Sequence, residues 1–181
     1  TTAVWLTWTL MALAQHPHWA EAVRDEVRRV ADDRPVIADD LPRLDVTDRV
    51  LRESLRLYPP VWLVGRRALD DVTLGEHTLP KGVIVVLGAG VVHRDPRWYP
   101  HPERFDPERW STAASADLPR FAFFPFGGGV RRCIGEGFAW MEAKLLLATL
   151  LRDWRFDLAR PGPVKPLPRI TLRPHGGLPV V

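Results

Sequence analysis

The chain contains one cysteine, and its neighbours decide what that thiol can do. Phe126-Gly127-Gly128-Gly129-Val130-Arg131-Arg132-Cys133-Ile134-Gly135 is a glycine-rich loop that delivers the thiol to the start of a helical stretch. Glycines permit positive φ and let a large flat ligand approach the backbone with no Cβ in the way. A helix beginning just after Cys133 aims its unpaired N–H groups and the positive end of its dipole at the sulfur, which favours thiolate over thiol. Arg131 and Arg132 add positive potential beside it. A thiolate so placed serves as a metal ligand, acts as a nucleophile or simply packs. A structural zinc site needs three further ligands, and there is no second cysteine. A nucleophile needs a histidine base, and spacing alone nominates none of the six histidines.

A second pattern is Glu53-Ser54-Leu55-Arg56, whose i, i+3 spacing puts two opposite charges on one helix face. Exposed, such a pair contributes only about 0.3–0.5 kcal/mol and carries little meaning by itself. Two further acid–arginine elements precede the cysteine loop, Pro102-Glu103-Arg104-Phe105 and Pro107-Glu108-Arg109-Trp110.

These residues need elements to hold them. The run Thr1 to Ala14 is apolar and ends in Ala-x-Ala, which raises a signal peptide, but no Met start and no basic segment precede it. As a helix it rises about 21 Å, short of the roughly 30 Å hydrocarbon core of a bilayer. It reads as a buried helix cut at its N-terminal end, and no membrane span is expected. Past Pro17, Trp19, Val23, Val27 and Val30 recur at three-to-four spacing, giving a second helix over about residues 18–31. Val46, Val50, Leu51, Leu55 and Tyr58 give a third, which Pro59-Pro60 stops. The period then shortens to strands at Val72–Leu74, His77–Leu79 and Val83–Leu87, with turns at Gly75-Glu76 and Pro80-Lys81-Gly82. A proline-rich stretch over 93–132 lacks long regular structure, and ordered loops of that length usually carry function. A long helix follows from Ile134 to about Leu151, then short strands at Arg155–Leu158 and Ile170–Leu172. The fold class expected is mainly α with small β-sheets.

Composition bounds the rest. At 181 residues, 46% hydrophobic and 26% charged, the chain has the makings of one sizeable core and no signature of disorder. A net charge of +3, with arginines interleaved among acids, is too small and too mixed for a nucleic-acid partner. Lys81, Lys144 and Lys165 are the only lysines. A single cysteine excludes an internal disulfide and suits a reducing compartment, so a cytoplasmic location is expected.

The cysteine loop resembles, position for position, the haem-binding signature Phe-x-x-Gly-x-Arg-x-Cys-x-Gly of the cytochrome P450 family. Phe126, Gly129, Arg131, Cys133 and Gly135 stand at the fixed places, and Ala139 also fits. Glu53 and Arg56 match the family's Glu-x-x-Arg, and the order of elements matches its C-terminal portion along nearly the whole chain, 1–181, as part of a single haem-binding domain. The resemblance implies that Cys133 is the proximal iron ligand, pushing electron density toward O–O cleavage. It adds a third member to the Glu53–Arg56 pair, for which Arg109 is chosen with Arg104 in reserve; Trp110 stands where the family has Phe. The expected role is a buried charge network that fixes the cysteine loop. Arg131, Arg66 and His93 are the expected partners of haem propionates. Phe126 is expected to pack beside the thiolate and exclude water. Thr1, or Thr2 if the register is off by one, matches the threonine of the distal helix that delivers protons to bound oxygen.

The resemblance also implies haem b, insertion of one atom of O2 into a small apolar organic substrate, and electrons from NAD(P)H through a ferredoxin or flavodoxin type donor. Arg131, Arg132 and Lys144 suggest a basic face for such a donor. Two alternatives keep the haem site: a peroxide-using enzyme, and a non-catalytic haem-binding protein. Because the N-terminal half of the family pattern is absent, the fragment alone is expected to be inactive, and Trp5, Leu6 and Trp8 are expected to present apolar surface without a partner.

Overall fold

A computed structural model of the chain describes residues 1–160 and 162–181. Helix α1 (Thr2–Gln15) ends at His16 because Pro17 follows, and Pro17 in turn opens α2 (Pro17–Ala31) from its first turn, where its missing N–H costs nothing. Helix α3 (Asp45–Leu57) stops ahead of Pro59-Pro60. Its first turn is capped from α2: the buried Glu26 carboxylate accepts the N–H groups of Val46 (2.7 Å) and Thr47 (2.9 Å) and the Thr47 hydroxyl (2.7 Å). The buried Arg24 of α2 does the reverse job for the last long helix, donating to the carbonyls of Leu151 and Trp154.

Short strands follow. Strand β1 (Val64–Arg67) pairs antiparallel with β4 (Ile84–Leu87), with Arg66 opposite Val85, while β2 (Val72–Leu74) and β3 (His77–Leu79) form a hairpin. The tip of that hairpin turns on Gly75 at φ 59°. The one-turn helix α4 (Ala89–Val92) precedes the proline-rich stretch, and a second, α5 (Thr112–Ser115), interrupts it. Helix α6 (Glu136–Asp153) starts two residues later than the sequence suggested, with Gly135 at its N-cap. The chain closes on the hairpin of β5 (Pro166–Pro168) and β6 (Leu172–Pro174).

The core lies where α1, α2, α3 and α6 meet. Val23, Val27, Val50, Leu51, Ala143 and Leu147 are wholly buried there, and a fully buried Val or Leu contributes about 1.5–3 kcal/mol. Among the described residues no helix is long and apolar enough to cross a membrane.

Three expectations change. Trp5, Leu6 and Trp8 do not lie open; they are 2%, 8% and 0% exposed, covered within the chain. Trp5 meets Trp140 edge-on at 4.8 Å between ring centroids, and Trp8 stacks on Tyr58 at 4.5 Å. The open apolar side chains are others, among them Val91, Val130, Ile134, Phe138 and Ile170. The strand expected at Arg155–Leu158 is reduced to an isolated bridge between Leu158 and Val180. The one expected at Ile170–Leu172 is mostly the turn before β6, because Leu172 N–H is drawn to Pro60 O at 2.9 Å and the pairing partner is β5.

Candidate active site

Thr1, Thr2 and Trp5 from the start of α1, Leu55 from α3, Val64 and Arg66 from β1, and Phe138 and Glu142 from α6 converge with the cysteine loop on one cavity of about 430 Å³. Phe126, Arg131 and Cys133 form its floor on the loop side. The loop reaches this position through positive-φ glycines, Gly127 at 74° and Gly129 at 65°, a region that side chains with a Cβ avoid. Its shape is closed by one backbone bond, Cys133 N–H to Phe126 O at 3.0 Å. Cys133 itself is exposed, two residues before the N-cap of α6, and lines the cavity. Arg66 and Arg131 are both exposed and both border the cavity. Phe126 is part-buried, with Trp5 edge-on at 6.2 Å and Trp140 tilted at 6.1 Å.

Behind the loop lies a charge network with no solvent access. Glu53 and Arg56 side chains are both 0% exposed. All five Arg56 N–H groups are used: two go to the Glu53 carboxylate at 2.9 and 2.8 Å, and three to the carbonyls of His93 (2.9 Å), Pro102 (2.7 Å) and Arg104 (3.1 Å). Glu53 also accepts the Asp106 N–H and the Trp110 indole N–H, each at 2.9 Å. The desolvation of the two charges is thus offset on every side, which is the condition for a buried pair to persist. Arg109 Nε lies 3.4 Å from Glu53 Oε1, within ion-pair range but without hydrogen-bond geometry, and its terminal nitrogen donates to His101 O at 2.9 Å. The Arg104 side chain is exposed and only its carbonyl joins the network.

His93 is a correction. It does not border the cavity; it is 0% exposed, and its Nε2 accepts the Phe124 N–H at 3.0 Å. Burial, reinforced by the neighbouring Arg56 and Arg94 charges, pushes its imidazole down to about 3, so it is neutral and cannot serve as a cationic partner. Lys144 is a second correction. Its ammonium pairs with Asp48 at 2.6 Å and is largely covered, which removes it from a basic face. Arg132 pairs with Glu136 at 2.7 Å but stays exposed. Arg132, Arg52 and Arg120, together with Glu136, line a second, smaller recess of about 240 Å³ that shares Phe126 and Gly127 with the cavity, with Arg52 over the ring of Trp140 at 5.0 Å.

Sequence reasoning missed Trp110 and Tyr99 as partners of this network. Tyr99 lies under the Arg56 guanidinium at 5.0 Å and donates its hydroxyl to Ala122 O at 3.1 Å. Their only signal in the sequence was their place near the acid–arginine elements.

Comparison with known proteins agrees with this geometry. The family model described as Cytochrome P450 matches residues 1–178. The chain is 40% identical over 172 residues to pentalenene oxygenase of Streptomyces avermitilis, covering 95% of this chain and 38% of that protein. It is 40% identical over 184 residues to cytokinin hydroxylase of Arabidopsis thaliana, covering 100% of this chain and 35% of that protein. The crystal structure of a cytochrome P450DA heme domain superposes with a TM-score of 0.92 at 33% identity, over 100% of this chain and 40% of that one. The chain therefore spans about two fifths of the length of the relatives it matches. With the family model matched over residues 1–178 and relatives 40% identical along 95% or more of the chain, the chain belongs to the cytochrome P450 family.

Proposed function

We propose that the protein is a haem-thiolate monooxygenase that inserts one atom of O2 into a small apolar organic substrate, with residues 1–181 forming the C-terminal part of a single haem-binding domain. The observation that carries this reading is the placement of a lone thiol, Cys133, at a cavity whose lining includes the apolar Trp5, Leu55, Val64, Phe126 and Phe138, with Arg66, Arg131 and one acid, Glu142, at its border. That donor set fits haem b: one soft sulfur for iron, apolar walls for the macrocycle, and two cations for its propionates. When bound, the haem supplies the redox and oxygen chemistry that no side chain here provides.

The chain's own residues supply the setting. Cys133 presents its sulfur from a loop whose backbone is closed onto Phe126. Phe126 excludes water from that sulfur, and Arg66 and Arg131 hold carboxylates at the cavity's border by charge-assisted hydrogen bonds. Thr1, with Thr2 beside it, brings a hydroxyl to the cavity end of α1 and holds a proton at Oγ1. Glu53, Arg56 and Arg109 keep the proline-rich stretch in place behind the loop.

Electrons come from NAD(P)H through a ferredoxin or flavodoxin type donor in the cytoplasm. The recess beside Phe126, where Arg52, Arg120 and Arg132 outnumber Glu136, supports an acidic docking partner. The test is a pyridine-haemochrome assay on the purified full-length protein. One haem b per chain is expected, reduced in an Arg66→Ala, Arg131→Ala double variant; a folded protein without haem would rule the function out.

A further inference from the structure

Among the described residues no hydrogen bond joins the buried Glu53–Arg56 pair directly to the loop 126–135, which leaves the link between them to a further residue. We infer that His93 is that positioning residue, through a relay of side-chain and backbone hydrogen bonds that ends at Cys133. The relay starts at Arg56, whose guanidinium donates to the His93 carbonyl at 2.9 Å and so fixes the residue's main chain against α3. The His93 side chain then reaches across to the loop, where Nε2 accepts the Phe124 N–H at 3.0 Å. Two residues on, Phe126 O accepts the Cys133 N–H at 3.0 Å. One histidine thus joins α3 to the strand of loop that carries the thiol.

The geometry constrains the chemistry of that link. An acceptor at Nε2 places the ring proton on Nδ1, which faces the end of α3 and lacks a full hydrogen bond there. The ring is wholly buried, tilted on Phe123 at 5.1 Å and edge-on to Phe124 at 5.2 Å, so it has no room to turn to another rotamer. Because the Phe124 N–H is directed at nitrogen alone, replacing the ring by an isosteric hydrocarbon leaves a buried donor with nothing to bond. A second tether, from Tyr99 beneath Arg56 to Ala122 O, runs parallel and holds the preceding residues but not Phe124.

The inference rests on the proposed haem-thiolate reading only for what Cys133 binds; the relay itself is read without the cofactor. The experiment is hydrogen–deuterium exchange by mass spectrometry on the full-length protein, following peptides that cover 120–135. His93→Phe fills the site with a somewhat larger ring and removes the acceptor; exchange at Phe124 and Cys133 should accelerate at least about tenfold, the factor that 1.4 kcal/mol represents. His93→Gln, whose side-chain oxygen reaches the place of Nε2, should restore protection, whereas His93→Asn, whose oxygen reaches only the place of Nδ1, should not. If His93→Phe fails to fold, the Gln and Asn pair carries the same contrast. Equal protection of 120–135 in Gln and Asn, or unchanged exchange in Phe, overturns the relay. A protein without haem that still shows the contrast refutes the proposed function and leaves the relay standing.

Discussion

The indole of Trp110 donates a 2.9 Å hydrogen bond to Oε2 of Glu53, fifty-seven positions away in sequence, in a network where the neighbouring Arg109 contributes charge without a hydrogen bond to the carboxylate. Trp110 is part of the network because of its N–H and not only its ring. Trp110→Phe keeps most of the apolar contact, including the 4.5 Å approach to Phe123, and leaves one carboxylate oxygen short of a donor. A loss of about 1.5–3 kcal/mol in urea unfolding is expected, as for hydrogen bonds to charged groups. No change would mean that Arg109 turns to take the vacated position.

Removing Arg56 should do more. Arg56→Ala leaves the Glu53 charge buried and frees three carbonyls from 93 to 104, and breaking a buried pair from one side costs about 3–5 kcal/mol. The variant should lose haem on gel filtration even where it remains folded by circular dichroism. Full haem content in folded Arg56→Ala would contradict the role given to the network.

Acid should act through His93. Burial, with Arg56 at the end of α3 and Arg94 beside it, holds the imidazole down at about 3 against an ordinary value of 6.5, while the Phe123–Phe124 side of the ring brings no charge. The unfolded chain takes up the proton near pH 6.5 and the folded one does not, so this contribution to stability is complete above that pH and is lost as pH falls from there toward 3. It is on the order of a few kcal/mol across the window. Unfolded carboxylates titrate at about 4, so the interval from about pH 6.5 to about 4.5 is the histidine range, and comparison with His93→Gln separates His93 from the other five histidines. Urea midpoints should fall over that interval in the natural protein and stay flatter in His93→Gln. Parallel slopes would assign the acid sensitivity elsewhere.

What the sequence made legible was chemistry carried by residue type at short spacing. Cys133, Gly129, Arg131 and Gly135 lie within one loop, and Glu53 and Arg56 within one helical turn, so their pattern survives in a string of letters. Helices α2 and α3 were legible for the same reason, since their buried positions repeat every three to four residues. What escaped depends on long-range geometry. His93 read as a propionate partner because nothing local shows that Arg56 and the Phe124 N–H enclose it. Lys144 looked like part of a basic face until Asp48, on another helix, was seen to pair with it. Trp5 and Trp8 find their covers in α6 and next to Pro59, and β1, with Gly65 and two arginines in four residues, has no alternation to announce it.

Charge at the arginine-lined recess should govern reduction. Arg132 and Arg120 are exposed at the recess beside Phe126, Arg132 with Glu136 as its ion-pair partner, whereas Lys144 is paired with Asp48 and largely covered. Reversing Arg120 and Arg132 to glutamate in the full-length protein should slow reduction by an acidic ferredoxin or flavodoxin at low salt and flatten its dependence on ionic strength. Lys144→Gln should alter the rate little. An equal effect of all three would point to net charge and not to this recess.

The most direct test is the absorption spectrum of the full-length protein, reduced with dithionite and exposed to CO, beside its Cys133→Ser variant. A red-shifted Soret band in the natural protein that disappears in the variant is the result expected of a thiolate from Cys133 on haem iron. A Soret band at the same position in both proteins, or none in the folded natural protein, would contradict it.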